Sequence, residues 1–209
     1  MKVAAIIPAY NEEENIALVL SVVTKIGEIS EILVVDDGSI DKTAQIAQSF
    51  GVKVLQLPKN QGKSLAMREG MFHTDAPIIM FLDADLIGLT EEQVKNMLSP
   101  IIAGYGDMSL GIFSSGRSMT DLAQKVAPYL TGQRVVKRWI LDGLDEDDWL
   151  SGFGIEIAIT QFAKGSNIRI VEVPLNSTTH VMKEEKMGVI RGVAARARMY
   201  WDIMKQLSH

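Results

Sequence analysis

Two carboxylates one residue apart, Asp83 and Asp85, close the apolar run Ile78-Ile79-Met80-Phe81-Leu82. A continuous apolar run of about five residues fits a strand covered on both faces, and open α/β sheets place ligands at the carboxyl ends of such strands. Ionised side by side, the two acids repel. They make chemical sense where a divalent cation sits between them and carries a polyphosphate. Taken alone, the pair has a second reading, in which both acids solvate a turn or cap the next helix. Other residues capable of chemistry precede them. Gly62 permits close approach of a backbone and Lys63 offers a point charge to phosphate oxygens. Tyr10-Asn11-Glu12 and Asp36-Asp37-Gly38-Ser39 supply the acceptors that a base and a ribose require. The chain carries neither a P-loop signature nor the glycine triplet of a dinucleotide-binding turn, which argues against an ATPase and a dehydrogenase.

Elements must bring these residues to one place. Val3 to Ile7 reads as a buried strand that stops at Pro8. Asn11, with Glu14 three residues on, predicts a capping-box-like helix start, and Ile16, Val19, Leu20, Val23 and Ile26 recur at helical spacing. Ile32 to Val35 is the second strand and ends in the acidic turn. Asp41 to Phe50 reads as a helix, Val52 to Leu57 as a strand, and Gln61 to Phe72 as a third helix. After the central strand, Thr90-Glu91-Glu92-Gln93 forms a second capping box, leading a helix with Val94, Met97, Leu98, Ile101 and Ile102 inward. Such alternation implies right-handed crossovers and an α/β fold with a mainly parallel central sheet flanked by helices. The four polar clusters then share one rim.

Composition bounds the alternatives. With 209 residues, 47% hydrophobic and 22% charged, the chain suits one large domain or two joined halves. A formal charge of −5 argues against a general nucleic-acid partner, although the last third is locally basic. The absence of cysteine removes disulfides, zinc–thiolate sites and thiol nucleophiles, and is compatible with a reducing cytoplasm. The opening apolar run is far shorter than that of a signal peptide, and no run approaches about 20 apolar residues, so neither leader nor membrane span is expected.

Ile7-Pro8-Ala9-Tyr10-Asn11-Glu12-Glu13, Val35-Asp36-Asp37-Gly38-Ser39-Ile40-Asp41-Lys42-Thr43, Asn60-Gln61-Gly62-Lys63 and Phe81-Leu82-Asp83-Ala84-Asp85-Leu86 resemble, in order and spacing, the successive motifs of family 2 glycosyltransferases of GT-A fold. The four motifs cover roughly the first half of the chain and are more specific together than singly. The resemblance implies transfer of a sugar from a nucleotide-sugar to an acceptor. It implies Asp85 as metal ligand, Asp83 on ribose or metal, Pro8, Tyr10, Glu12 and Asp37 around base and ribose, and Lys63 on the diphosphate. Glu13 and Glu14 are read as helix-start electrostatics.

In the second half, a strand is expected around Met108 to Ile112, and Ser114-Ser115-Gly116-Arg117 reads equally as a lid and as a solvent loop. Thr131-Gly132-Gln133-Arg134 precedes an expected basic helix, Arg134 to Arg138, and is similar to the acceptor loop of glucosyl-3-phosphoglycerate synthases and related bacterial enzymes. A helix N-terminus with Arg134 would make an anion site. Asp142, Asp145, Glu146, Asp147 and Asp148 crowd a short loop before Trp149, most of them read as solvated turn residues. An acid near this position removes the acceptor proton in inverting family members, which makes Asp147 or Asp148 the candidate base. Ser151-Gly152-Phe153-Gly154-Ile155-Glu156-Ile157-Ala158 is similar to the Gly-aromatic-Gly-x-Glu segment of the same synthases. Glu156 is read there as a sugar-hydroxyl acceptor, the alternative being a buried helix-start glutamate.

Ile168 to Val173 reads as the last strand, ended by Pro174. The resembled synthases use a histidine after this strand as a metal ligand, which makes His180 the partner of Asp85. Imidazole with carboxylates suits Mn2+ at least as well as Mg2+. His73 and His209 are read as structural. From Lys183 to Leu207 the apolar residues recur at helical spacing, predicting an amphipathic helix. It would pack on the core or on a second subunit of a homodimer, the alternative being a membrane-surface face. The expected organisation is a single domain, 1–209, with a nucleotide-sugar half (1–112), an acceptor half (113–182) and the terminal helix (183–209). The expected donor is a UDP-sugar, UDP-glucose first, and the acceptor a phosphorylated small molecule. The alternatives are a polyprenyl phosphate at the inner face of the membrane, a nucleotide-sugar pyrophosphorylase and a non-catalytic sugar-nucleotide binder. The resembled synthases retain anomeric configuration while most family 2 enzymes invert, so both outcomes stand open.

Overall fold

A computed structural model describes residues 1–113, 131–150 and 155–180, the side chains of Lys164 and His180 excepted. The chain divides into two units, Met1–Thr179 and His180–His209, and every described residue but His180 belongs to the first. The expected terminal helix, the Ser114–Arg117 loop and the glycines before Glu156 lie outside the described residues. Among the described residues no helix is long and apolar enough to cross a membrane.

The first unit is built on a 7-stranded sheet, order β3-β2-β1-β4-β7-β6-β8. Its strands are β1 (Val3–Ala9), β2 (Glu31–Asp36), β3 (Lys53–Gln56), β4 (Ile78–Phe81), β6 (Met108–Phe113), β7 (Arg134–Lys137) and β8 (Ile170–Leu175). A short strand β5 (Leu86–Ile87) pairs separately with one that begins at Thr179. Helices α1 (Ile16–Val23), α2 (Thr43–Ser49), α3 (Lys63–Phe72) and α4 (Glu91–Ile102) alternate with the early strands. Three more follow β7 in the described residues: α5 (Arg138–Asp142), α6 (Glu146–Leu150) and α7 (Ile155–Gly165).

The sheet is apolar on both faces because β1 is buried from end to end. Val3, Ala5 and Ile7 pack with Ile16, Val19, Leu20, Val94 and Met97 of α1 and α4. Ala4 and Ile6 turn the other way, onto Met67 and Met71 of α3 and Ile155 and Ile159 of α7. This is the strand period of two filling two helical layers. At Gly70 a Cβ would stand 2.5 Å from Ile6 Cγ2, so α3 lies close against the sheet only because that position has no side chain.

β7 alone among these seven strands runs against its neighbours, pairing antiparallel with both β4 and β6. The helix expected over Arg134 to Arg138 is therefore corrected. Val135 and Val136 are β-branched and fill both faces of the sheet, and the helix starts only at Arg138. The acidic loop expected before Trp149 is instead α5 and α6, and Trp149 lies inside α6 as part of the core. Pro174 does not end the last strand. β8 is an edge strand, where a residue without an N–H is tolerated. Nor is Asn11 a helix cap: it has φ 54°, its Oδ1 accepts from Ile40 N, and α1 begins only at Ile16. The capping box of Thr90 and Gln93 forms as expected.

Candidate functional site

The parallel strands β1, β2 and β4 end on one rim, with Ala9 opposite Asp36 and Phe81 opposite Ile6. Hydrogen bonds lace the first two ends together. Asn11 N donates to Ser39 Oγ at 2.9 Å, Glu12 N to Thr43 Oγ1 at 2.8 Å and Lys42 N to Glu13 Oε2 at 3.1 Å. Pro8 is buried in β1 opposite Val35, Tyr10 stays 44% exposed at the rim, and Glu12 Oε2 accepts from Asn15 Nδ2.

Asp37, almost wholly buried, reaches from the end of β2 to the start of α3. Its two oxygens accept from the backbone amides of Gln61 and Gly62, each at 2.8 Å. Gly62 has φ 96° and ψ 156°, and a Cβ there would meet nothing within 4 Å. Conformation, not crowding, demands glycine here. The turn that results opens α3 at Lys63.

Lys63 Nζ lies 2.6 Å from Asp83 Oδ1 and 2.8 Å from Glu156 Oε1. Burial by itself would lower the ammonium, but the charges of Asp83 and Glu156 outweigh it and hold Lys63 well above its ordinary value. The other Asp83 oxygen accepts from Gln133 Nε2 at 2.7 Å, and Asp83 N donates to Gln133 Oε1 at 2.9 Å. Gly132 backs onto the same ion pair: a Cβ there would stand 2.5 Å from Lys63 Nζ and 2.7 Å from Asp83 Oδ1. These contacts exist because β7 is antiparallel to β4, so its first residues meet the last of β4, Phe81 opposite Arg134.

Arg134 opens a strand and not a helix, so the helix-terminus anion site expected there does not form. The guanidinium is fully buried and donates to carbonyls, Nε and Nη2 to Thr131 O and Nη1 to Glu156 O. Burial pushes it down to about 10, against the pull of Glu156 and Asp83. It ties the Thr131–Gln133 turn to the first turn of α7, which carries Glu156, itself buried.

The structure thus brings Asp37, Gly62, Lys63, Asp83 and Glu156 to one rim, with Pro8, Tyr10 and Glu12 beside them. Asp85 sits half-buried between β4 and β5. Asp147 is exposed and Asp148 half-buried on α6, where Asp148 Oδ2 accepts from Asp145 N and Trp149 packs the helix into the core shared with α3. The ligand role expected of His180 falls on a side chain outside those described. Gln133 went unselected from sequence because its segment reads as the approach to a helix. No polar pattern announces a buried glutamine just before an antiparallel strand.

Among the described residues no group of three or more His, Asp or Glu side chains gathers to hold a metal ion. Asp83 and Asp85 nevertheless fit a hard divalent cation. Carboxylate oxygens are its preferred donors, and Mg2+-type sites use one or two carboxylates with the remaining positions filled by phosphate oxygens and water.

Known proteins place this geometry. The profile of Glycosyl transferase family 2 matches residues 4–165. A dolichol-phosphate mannosyltransferase of Pyrococcus furiosus is 28% identical over 90% of this chain and 59% of its own length. An undecaprenyl-phosphate 4-deoxy-4-formamido-L-arabinose transferase of Klebsiella pneumoniae is 27% identical over 91% of this chain and 64% of its own. The chain therefore spans less than two thirds of these curated relatives. A glucosyl-3-phosphoglycerate synthase from Mycobacterium tuberculosis, crystallised with Mn2+, uridine diphosphate and glucosyl-3-phosphoglycerate, superposes with a TM-score of 0.73 at 24% identity. That superposition covers 93% of this chain and 79% of the synthase, and it shows the GT-A fold. With the family profile running from β1 through α7, this chain belongs to glycosyl transferase family 2.

Proposed function

We propose that this chain is a metal-dependent glycosyltransferase that moves a sugar, glucose first, from a UDP-sugar to an acceptor bearing a phosphate, in the cytoplasm. The observation that carries this reading is the meeting of Lys63, Asp83 and Glu156, from three different elements, at the carboxyl rim of the sheet. A cation at the opening of a helix, beside carboxylates fit for a divalent ion, is the equipment a nucleoside diphosphate requires.

In this reading Pro8, Tyr10, Glu12 and Asp37 surround the base and ribose. Asp37 also holds the Gln61–Gly62 turn that presents Lys63. Lys63 faces the diphosphate oxygens, Glu156 accepts from sugar hydroxyls, and Asp83 holds the ribose or shares the cation with Asp85 and His180. Bound there, Mn2+ or Mg2+ would supply positive charge to balance the diphosphate leaving group. Asp147 or Asp148 serves as the acceptor-side base if the reaction inverts. Arg134 acts through the turn and helix it braces.

The acceptor's phosphate has two sources. The synthase of similar fold is named for phosphoglycerate, whereas the two relatives are named for dolichol and undecaprenyl phosphates. A panel of nucleotide-sugars with Mn2+ or Mg2+, followed by thermal stabilisation and slow donor hydrolysis, tests the donor assignment. Stabilisation by a UDP-sugar is expected, and a fold stabilised by no nucleotide-sugar overturns the proposal. Transfer to phosphoglycerate without vesicle co-sedimentation favours the small acceptor. Co-sedimentation with polyprenyl-phosphate vesicles favours the lipid.

A further inference from the structure

A glutamine is fully buried beside the Lys63–Asp83 ion pair, and each of its polar atoms is engaged. Gln133 Oε1 accepts from Asp83 N at 2.9 Å and Nε2 donates to Asp83 Oδ2 at 2.7 Å. Its backbone N donates to Thr131 Oγ1 at 3.2 Å, and its backbone O accepts from Gly111 N at 2.8 Å. Thr131 Oγ1 in turn donates to Gly111 O at 2.7 Å. Gln133 is therefore anchored on β6, and from there grips both the main chain and the carboxylate of Asp83. The orientation of the amide is determined by its partners, since only its oxygen can meet an N–H and only its nitrogen can donate to a carboxylate.

We infer that Gln133 is a positioning residue for donor binding, holding Asp83 at one orientation from the acceptor side of the sheet. The inference rests on the nucleotide-sugar reading of this rim. A two-point grip means that neither the Asp83 side chain nor its peptide turns without stranding a hydrogen-bonding group. The choice of residue matters as well. Lys63 meets one Asp83 oxygen with a full positive charge. On the other oxygen a neutral amide holds the carboxylate without cancelling the charge that a cation or a ribose hydroxyl must find. A lysine or arginine there would compete with the ligand. A leucine would leave Asp83 N and Oδ2 without these partners. The antiparallel register of β7 delivers the side chain, because a slip of one residue would turn it to the opposite face.

The variants are Gln133→Leu and the milder Gln133→Asn, in the full chain. Ser109→Ala serves as a control of comparable structural cost. Ser109 is buried on β6 and gives one hydrogen bond, 2.7 Å, to Met97 O on α4. Three readouts are taken: amide exchange at Asp83, calorimetric affinity for UDP and GDP with and without Mn2+, and melting temperature. In Gln133→Leu, Asp83 exchange accelerates and Mn2+-dependent nucleotide affinity falls about 10- to 100-fold, the range found when partners of ligating carboxylates are removed. Gln133→Asn, with one grip shortened, falls between that and wild type, and Ser109→Ala keeps wild-type affinity. Unchanged Asp83 exchange in both Gln133 variants overturns the inference, as does an equal loss of affinity in Ser109→Ala. Wild-type protein that binds neither nucleotide with Mn2+ overturns the donor reading and the donor role of Gln133 together. Wild-type binding that survives intact in Gln133→Leu overturns the inference alone.

Discussion

Lys63 and Glu156 meet at 2.8 Å, the first opening α3 and the second in the first turn of α7. The two positions are electrostatically unlike. A carboxylate in a first helical turn is favoured by the helix dipole, whereas an ammonium there is opposed by it. Lys63 is therefore in the wrong place for helix stability, as the proposed diphosphate role would require. Asp83 and Glu156 are what balance its charge there.

Replacing Lys63 by methionine should lower nucleoside-diphosphate affinity about 10- to 100-fold, the value of one charge-assisted contact. Its effect on stability should be about 1 to 2 kcal/mol, because solvent screens the 38% exposed ammonium while Glu156 beside it is buried and loses a partner. The sign with pH follows from the raised value of Lys63. Its stabilisation is fully present below the ordinary 10.5 and disappears as pH climbs through the higher folded value. Urea unfolding between neutral and strongly alkaline pH should show wild type and variant converging only at the alkaline end.

The two acids that follow β4 should separate in their effects. Asp85→Ala is expected to abolish metal-dependent turnover while leaving metal-free nucleotide affinity near wild type. Asp83→Ala should weaken nucleotide binding as well, about tenfold or more, since Asp83 also pairs with Lys63. Calorimetry with and without Mn2+ separates the two, and a fully active Asp85→Ala protein would sink the assignment.

Gly132→Ala probes the crowding at the ion pair. The new Cβ would press on Lys63 Nζ at 2.5 Å and on both Asp83 oxygens. Lys63 can swing away, but Asp83 is gripped on the far side by Gln133. Donor affinity should therefore fall about tenfold, while overpacking at this polar edge costs about 1 kcal/mol. A melting temperature lowered by many degrees with donor affinity intact would show that Gly132 serves only the fold.

How much of this was legible beforehand depended on the kind of signal. The strand and helix periods of the first half were readable because β1, β2 and β4 are covered on both faces and α1 and α4 carry regular apolar stripes. Strand ends in a parallel sheet share a rim, so the sequence alone gathers Asp37, Lys63 and Asp83. β7 could not. Four residues, Arg134–Lys137, begin and end in basic side chains and run into a helix, so they read as its first turn although Val135 and Val136 are β-branched, and pairing with β4 and β6 makes them a strand. Read as helix, the segment conceals Gln133 and gives Arg134 a ligand-facing role in place of its carbonyl contacts. The left-handed Asn11 was missed for a related reason: its side chain bonds across to Ile40, a partner that sequence spacing alone does not name.

Asp107 offers a contrasting test at the opposite edge of the sheet. It lies just before β6, with Arg169 before β8 and Lys137 at the end of the antiparallel β7, so all three stand on the amino-terminal rim. Asp107 accepts from Arg169 Nε and Nη2, each at 3.0 Å, and from Lys137 Nζ at 2.7 Å. Arg169 first, and Lys137 with it, hold the carboxyl well below the ordinary 3.8, against the effect of burial. A depressed folded value means stability present above 3.8 and lost as pH falls toward the lower value. Because Arg169 is largely exposed and Lys137 is not, Asp107→Asn should cost about 2 kcal/mol at pH 7. That corresponds to a melting temperature lower by about 4 to 8 °C for a domain of this size. The gap to wild type should hold from neutral pH to about 5 and shrink below 4, as protonation removes from wild type what the variant already lacks. Donor affinity should not change, because the ion pairs that hold Lys63 and Asp83 stand at the carboxyl rim. An Asp107→Asn protein with weakened nucleotide binding at unchanged stability would mean that the two rims are coupled through the sheet.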